Sequence, residues 1–416
     1  MRWLSILSGL GLLAVIAFMA GMWTTHKYWL PWRKVDELLP FVRSYRDTGL
    51  FLPQYSYHYR SASASDERHV VHDPDRASDG NLFLARMDVQ RGFMVAELLD
   101  RDGAVLHGWE IPYSRYFGGS DDFPGHAVEP LPDGSVLANF DSGHGLLRID
   151  TCSDAIWIRD DMAYHHSLHP DEKGGWWTWG SVQEADGQDQ RLIRFDAEDG
   201  HTLEEIDLID DVVGLSDAQH LAMRIPEDYV FNRDPSASGQ HDIFHPNDAE
   251  PLPAAMAEHF PMFEPGDLLV SLRNLDMLAV IDRDSYTMKW WSYGPYHNQH
   301  DPDFEPDGTI SVFSNNNNLE RSSIIKIDPA TSRAWDVYWG GALDFDSFIM
   351  GKQQLLPNGN RLVVSTMEGR VIEVAPNGDI LREFGNILTP VYSAVVTSAK
   401  LLPPDFFDNV PSCDKR

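Results

Sequence analysis

The chain has 416 residues and a formal net charge of −31 at pH 7. This charge argues against nucleic acid or anionic lipid as the partner, because a polyanion would be repelled at long range. An apolar fraction of 43% is enough for a buried core. The two cysteines, Cys152 and Cys413, are too few for a disulfide framework. They are either free thiols or one bridge between an early repeat and the C-terminus.

The first predicted element is a membrane-spanning helix. Residues Leu4 to Trp23 are uncharged and mostly apolar, and about twenty such residues can cross a bilayer. A cleavable signal is the alternative, although no clean cleavage site follows the apolar stretch. We therefore expect residues 1–34 to form a single N-terminal transmembrane anchor and residues 35–79 to lead into a larger domain. The flanking charges leave the orientation of the helix open.

From about residue 80 onward, one hairpin pattern occurs six times. An apolar strand ends at a turn, which five copies open with an aspartate, and a second strand follows. The aspartates are Asp100, Asp150, Asp196, Asp282 and Asp328, spaced by 50, 46, 86 and 46 residues. Their fixed place before a turn indicates turn capping rather than a metal site. Four short strands in a period of roughly 40 to 50 residues are typical of a β-propeller. We predict an all-β, six-bladed β-propeller over residues 80–410.

Two features depart from the repeat. The 86-residue interval holds an insertion within residues 211–265, with a short helical stretch near Pro253–His259. Long loops on a propeller rim usually cover or shape the central site. The segment SAVVTSAKLL, within Val391–Phe407, predicts one more strand that joins the first blade and closes the ring.

A histidine stands at the head of four repeats. The four are His126, His166, His245 and His300. In three copies a glycine follows eight residues later, at Gly134, Gly174 and Gly308, so the histidines occupy one structural position. They begin the strand that we expect to be innermost in each blade, so a closed ring would gather them around its axis. His165 would face the other side of its strand, and we interpret it as structural.

The neighbours of these histidines indicate an anion site. Asn247 follows His245, the strand DLLVSLRN ends at Arg273, and the strand after His300 ends at Asn315. Imidazoles serve as nucleophiles or as acids and bases, and together with amides and a guanidinium they suit a tetrahedral oxyanion such as sulfate or phosphate. For each residue alone, a structural role in a turn is the alternative.

On these motifs the chain resembles the bacterial arylsulfate sulfotransferases, which transfer sulfuryl groups without a nucleotide donor. The resemblance covers roughly residues 80–390 and is carried by H-x-N at His245–Asn247, by S-x-R at Ser271–Arg273, and by QHD at Gln299–Asp301 with the strand that ends at Asn315. It implies a propeller fold, and it implies transfer from an aryl sulfate to a phenol through a sulfohistidine at His300. It also implies that His166, His245, Asn247 and Arg273 surround that histidine.

From the resemblance and the residues we expect catalytic roles for His300, His166, His245 and Arg273, and substrate binding by Asn247, His126 and Asn315. No metal or other cofactor is required by this chemistry. We expect the propeller to face the periplasm from the inner (cytoplasmic) membrane, and we leave the oligomeric state open. Two alternatives stay open: a non-catalytic envelope propeller that serves as a binding or assembly module, and a metal-dependent hydrolase in which the same histidines ring a metal. Arg273 favours an anion over a dication.

Overall fold

In the computed structural model, two compact units are present, Met1–Gln54 and Tyr55–Arg416. The structure describes the chain from residue 2 to residue 413 except residues 27–29, 54, 122–124, 141–143, 183–189, 225–242, 317–318 and 320, and it describes no side chains for residues 1–10 and 25–37. Residues 225–242 of the predicted insertion therefore lie outside the described residues.

The first unit is helical. Its helices are α1 (Arg2–His26) and α2 (Leu30–Thr48). The apolar stretch of the predicted anchor, Leu4 to Trp23, falls within α1, and its residues 4–10 lie outside the described side chains. Across the described part of the chain, no helix combines the length and the apolarity needed to cross a membrane. The predicted transmembrane helix is thus not supported.

The second unit is a ring of six antiparallel sheets, which confirms the predicted six-bladed propeller. We number the blades in chain order. Blade 1 contains β3 (Asn81–Asp88), β4 (Phe93–Leu99) and β5 (Val105–Ile111); blade 2 contains β6 (Gly125–Pro130), β7 (Val136–Phe140), β8 (Leu146–Ile149) and β9 (Ala155–Arg159); blade 3 contains β10 (Ala163–Pro170), β11 (Gly175–Ser181), β12 (Arg191–Asp196) and β13 (Thr202–Asp207). Blade 4 contains β14 (Pro246–Pro251), β15 (Leu268–Leu272), β16 (Met277–Ile281) and β17 (Met288–Tyr293); blade 5 contains β18 (His300–Phe304), β19 (Ile310–Ser314), β20 (Ser323–Asp328) and β21 (Arg333–Trp339); blade 6 contains β22 (Lys352–Leu355), β23 (Arg361–Ser365), β24 (Arg370–Val374) and β25 (Ile380–Gly385).

The last long strand closes the ring. Strand β27 (Val396–Leu402) pairs with β3 and becomes the innermost strand of blade 1, as the sequence predicted. Strand β2 (His69–Val71) covers the outer edge of blade 6 beside β25. Two further strands, β1 (Tyr57–Tyr59) and β26 (Tyr392–Ala394), form a separate pair. Closure leaves no gap between the first and last blades, and the sheet edges that remain are those of the short outermost strands.

The core consists of one apolar cluster between each pair of neighbouring blades, six in all within the described ring. Strand β15 shows how the sequence produces this arrangement. Leu268, Val270 and Leu272 pack towards blade 3, whereas Leu269 packs towards blade 5. Successive side chains of a strand alternate between faces, so a blade with neighbours on both faces needs an unbroken apolar run.

The remaining elements are short. They are helices α3 (Tyr113–Phe117), α4 (Asp217–Ala222) and α5 (Gly340–Leu343), a π-helical turn at Leu208–Val212, and 3₁₀ turns at Val213–Leu215, Ala257–His259 and Arg273–Leu275. The turn at Ala257–His259 falls within the predicted helical stretch.

The predicted capping aspartates do cap turns: the side chain of Asp150, for example, accepts from the backbone N–H groups of Cys152 and Asp154 at 2.8 and 2.9 Å.

Cys152 and Cys413 form a disulfide, with their Cα atoms 5.0 Å apart. This settles the question that the sequence left open. Cys152 lies in the turn between β8 and β9 of blade 2, and Cys413 lies in the tail beyond β27. The bridge therefore ties the segment that closes the ring to blade 2.

Candidate functional site

The four predicted histidines lie at the same end of the innermost strands. His126 and His166 belong to β6 and β10, His300 is the first residue of β18, and His245 immediately precedes β14. The ring of His166 is central: its centroid lies 4.0 Å from that of His126, 5.1 Å from that of His245 and 6.3 Å from that of His300. The structure thus brings all four together at the axis.

Breaks in strand register direct these side chains. The innermost strands of blades 1 to 5 each lose register with the second strand at this end. His166, His245 and Asp301 have positive φ values of 62°, 43° and 50°. Residues other than glycine rarely adopt this conformation, which costs about 1–3 kcal/mol and concentrates at functional sites, and bulges re-aim side chains beside active sites.

Three of the histidines open onto a small cavity with a volume of about 20 Å³. Among the predicted residues it is lined by His126, His166, His300 and Asn247. The side-chain nitrogen of Asn247 donates to the backbone oxygen of Gln299 at 2.7 Å. Four blades therefore contribute a predicted side chain to one space.

Arg273 and His245 lie beside this cavity. Arg273 opens the 3₁₀ turn after β15, and its backbone N–H donates to the carbonyl oxygen of His245 at 3.1 Å. Its guanidinium is partly exposed and also contacts the side chain of Asn274. Its positive charge helps to lower the pKa of His300.

His300 is held through one ring nitrogen. Nδ1 lies 2.7 Å from Oδ1 of Asn315 and 3.1 Å from the carbonyl oxygen of Asn298. Nδ2 of Asn315 donates to the carbonyl oxygens of Ser347 and Met350 at 2.6 and 2.7 Å, so its oxygen is the atom that faces the histidine. Two acceptors at Nδ1 require the proton there, which leaves the lone pair on Nε2. Asn315 thus contacts His300 from behind and is not among the residues that line the cavity.

Burial keeps His300 neutral. Burial is the main cause that lowers the pKa of His300 to about 3, and the charge of Arg273 adds to it. Burial also lowers the pKa values of His126 and His166 well below the ordinary value, reinforced by the neighbouring imidazoles. At neutral pH the cavity therefore presents uncharged imidazoles, the form in which histidine acts as a nucleophile or a base.

His126 carries its proton on the other nitrogen. The backbone N–H of His166 donates to Nδ1 of His126 at 3.2 Å. A neutral imidazole has one proton, so the proton of His126 must be on Nε2. His126 can therefore donate a hydrogen bond, whereas His300 offers a lone pair.

The predicted orientation of His165 was wrong, whereas its interpretation as structural stays a prediction. It does not face away from His166: Nδ1 of His165 lies 2.6 Å from Nδ1 of His166, and Nε2 lies 3.0 Å from Oε1 of Gln190. The register break between His165 and His169 removes the strict alternation on which that predicted orientation depended.

Three charged side chains at the cavity were not predicted from the sequence. Asp248, Asp301 and Lys352 line this cavity, and Nζ of Lys352 lies 3.3 Å from Oδ1 of Asp301. Burial opposes the charge of Lys352, but Asp301, Asp248 and Glu129 outweigh it and raise the pKa of the lysine. Nε2 of His169 lies 2.9 Å from the carboxylate of Asp248. Buried charges persist when they are paired in this way.

A sequence signal for Lys352 exists. In the sixth repeat the turn glycine is Gly359, and counting back eight residues reaches Gly351, the position that histidine occupies elsewhere. Lys352 is the next residue, in the same place as Asp301 relative to Gly308. Extending the glycine spacing to the sixth copy places Lys352 in blade 6 at the position that Asp301 has in blade 5, so both side chains could have been predicted at the axis.

A metal site needs several ligating side chains whose donor atoms lie close together. Among the described residues, one such group of three is present, with donor atoms within 4.8 Å of one another: Asp196, Asp199 and His201. That group is largely exposed and belongs to the turn between β12 and β13. Among the described residues, the axial histidines do not form such a group.

The fold and the site define a closed β-propeller with a histidine-lined axial cavity. Residues 127–386 match the model of the arylsulfotransferase (ASST) family, which is more than half of the chain. The chain belongs to this family, as its motifs predicted. Membership supports a transferase that acts on small aryl substrates.

Other comparisons add no function. No sequence among the curated proteins matches. Similar solved structures include a protein of unknown function from Bacteroides caccae, with 10% identity and a TM-score of 0.48 over 76% of this chain and 99% of that chain. They also include virginiamycin B lyase from Staphylococcus aureus, with 13% identity and a TM-score of 0.36 over 64% of this chain and 71% of that chain. At these scores the likenesses carry no argument.

Proposed function

We propose that this protein transfers a sulfuryl group from an aryl sulfate to a phenolic acceptor by a ping-pong reaction through His300, without a nucleotide donor. The observation that carries the proposal is the state of His300 in a chain of the arylsulfotransferase family. Its Nδ1 is tied to Asn315, its ring is neutral, and it lines the cavity. Its Nε2 lone pair is therefore available for attack.

In the first half-reaction, Nε2 of His300 attacks sulfur, an N–S bond forms, and the bond from sulfur to the aryl oxygen breaks. The aryl group departs as the phenolate and takes up a proton from solvent, since the neutral His166 is proposed to act as a base. In the second half-reaction, the acceptor hydroxyl loses its proton to His166, its oxygen attacks sulfur, and the N–S bond breaks. His166 then releases that proton to solvent, which balances the proton taken up by the first phenolate, and His300 returns to its starting state.

The non-bridging oxygens of the sulfuryl group need donors. Arg273 supplies a positive charge near His300, and Nε2–H of His126 supplies a neutral donor. We assign His245 and Asn247 to the same oxygens, because both lie within the cluster. Removing one such donor typically slows an enzyme by about 10²–10³-fold.

We further propose that the propeller works in an oxidising compartment such as the periplasm. The supporting observation is the Cys152–Cys413 disulfide, because disulfides form and persist in secreted and periplasmic proteins and are rare in the reducing cytosol.

The first test measures nitrophenolate release from p-nitrophenyl sulfate by the full chain, with and without an added phenol. We expect acceptor-dependent release and a labelled His300 that is heavier by one SO₃ group. His300→Asn should lower the rate by about 10⁴-fold or more, as losing a covalent nucleophile does elsewhere.

His201→Asn is the matched control, because His201 is an exposed turn residue that pairs with Asp199; it should keep the wild-type rate. A folded protein that releases nothing from a panel of aryl sulfates would contradict the proposal and favour the binding module. Activity that survives His300→Asn would contradict the covalent route.

A further inference from the structure

His165 and His166 are consecutive residues of β10, yet their rings meet. The ring centroids are 4.8 Å apart with an angle of 78° between the planes, and the two Nδ1 atoms are 2.6 Å apart. The positive φ of His166, 62°, makes this possible, because it interrupts the alternation of the strand. Both rings are buried, so this contact is made away from water.

Proton counting assigns the tautomers of this pair. Two nitrogens 2.6 Å apart form a hydrogen bond only if one carries a proton and the other a lone pair. Nε2 of His165 faces the amide oxygen of Gln190, which can only accept. Nε2 of His165 therefore carries the proton, and because we infer that this buried ring is neutral, its Nδ1 is the acceptor. The shared proton then belongs to Nδ1 of His166.

We propose that His165 is a positioning residue that accepts the Nδ1 proton of His166 and thereby keeps the lone pair of His166 on Nε2. The inference rests on the proposed function for its chemical use, since a base for the acceptor hydroxyl needs that lone pair. His165 does for His166 what Asn315 does for His300. Each reactive imidazole has a buried acceptor behind Nδ1.

The arrangement divides the roles of the cavity histidines. His300 and His166 present lone pairs, one for attack on sulfur and one for the acceptor proton. His126 presents an N–H, because its Nδ1 already accepts from the backbone of His166. With the opposite tautomer of His166, the rings of His126 and His166 would both present N–H groups, so the contact with His165 determines whether His166 can act as the base of the second half-reaction.

The test compares His165→Asn with His165→Leu in the full chain. The amide oxygen of asparagine can take the place of Nδ1 as an acceptor, whereas leucine fills space without accepting. The primary readout is the ¹⁵N spectrum of labelled histidine side chains, which distinguishes the two neutral tautomers; the signal of His166 is identified by its loss in His166→Asn. We expect a proton on Nδ1 of His166 in the wild type and in His165→Asn, and a shift towards Nε2 in His165→Leu.

The second readout is kinetic. His165→Leu should slow acceptor-dependent turnover by about 10²-fold, the lower end of what a general base contributes, while the first release of nitrophenolate changes little. His165→Asn should lose less than about tenfold.

A proton on Nε2 of His166 in the wild type would overturn the inference, as would unchanged spectra in His165→Leu. If His165→Leu does not fold, the wild-type and His165→Asn spectra decide the question. If the wild type shows the expected tautomer but transfers no sulfuryl group, the proposed function fails and the positioning contact stands.

Discussion

His300 combines a buried imidazole with a nearby guanidinium, and this combination makes its charge state testable. Burial and the charge of Arg273 lower the pKa of His300 to about 3. The neutral ring is the nucleophilic form, so protonation of His300 should limit activity only as the pH falls towards about 3. Above that pH, the proposed nucleophile is already in its reactive state.

Replacing Arg273 with methionine should therefore raise the pKa of His300, because the variant removes a positive charge that disfavours the imidazolium. The new value should still lie below 6.5, since burial is the larger cause and is retained. The acid limb of kcat/KM should move to higher pH. NMR titration of His300, identified by comparison with His300→Asn, measures the shift directly.

Arg283→Met is a matched control, because Arg283 pairs with Glu204 and packs on the ring of Trp177. It should leave the His300 titration unchanged. An unchanged titration in Arg273→Met as well would contradict the electrostatic account of Arg273.

At the level of elements, the innermost strands carry most of the site, and those of the neighbouring blades 5 and 6 are joined by an ion pair. Lys352 at the start of β22 and Asp301 in β18 form an ion pair, and the other carboxylate oxygen of Asp301 accepts from the backbone N–H of Gln353 at 2.6 Å. The side chains are 18% and 8% exposed, so water cannot replace a lost partner fully.

Lys352→Met should destabilise the protein by about 3–5 kcal/mol, because it leaves the buried carboxylate without its cation. Adding Asp301→Asn should recover much of this loss, since the amide can still accept from Gln353 and carries no charge. Denaturant unfolding of the two single variants and the double variant gives the coupling energy. Equal losses in Lys352→Met and in the double variant would contradict this account.

The sequence predicted which strands form the site better than it predicted the contacts between their side chains. A glycine follows His126, His166 and His300 by eight residues, in the turn after the innermost strand, so this spacing locates the innermost strand of each blade. Ring closure alone then brings those strands to one axis. The bulges could not be predicted, because a register break depends on the neighbouring strand. That is why His165 was placed on the wrong side.

Contacts between blades were also beyond the sequence. Asn315 reaches His300 inside blade 5, but its amide is oriented by Ser347 and Met350, which lie between blades 5 and 6. Local patterns record periodicity and turns, whereas these hydrogen bonds depend on how the chain returns to the axis. The charged pair of Lys352 and Asp301 was predictable only through the sixth copy of the repeat.

At the scale of the whole molecule, three features of the C-terminal segment hold the ring closed: a strand, a packing contact and a disulfide. Strand β27 completes blade 1. Beyond it, Phe406 and Phe407 pack against the apolar cluster between blades 1 and 2, and the backbone N–H of Asp408 donates to the carbonyl oxygen of Pro132 at 2.8 Å. The disulfide then fixes the tail to Cys152, 261 residues earlier in the chain.

Reducing this bridge should lower the stability of the ring by about 2–5 kcal/mol, because a crosslink over a long loop restricts the unfolded chain. The midpoint of thermal unfolding of the wild type should fall when reductant is added. The double variant Cys152→Ser/Cys413→Ser should show the lower midpoint with and without reductant, which separates the bridge from other effects of the reductant. Since the side chains proposed as catalytic belong to blades 3 to 5 and not to the tail after β27, activity at temperatures below the transition should be retained. A midpoint that does not respond to reductant would show that β27 and the packing of Phe406 and Phe407 are sufficient to hold the ring closed.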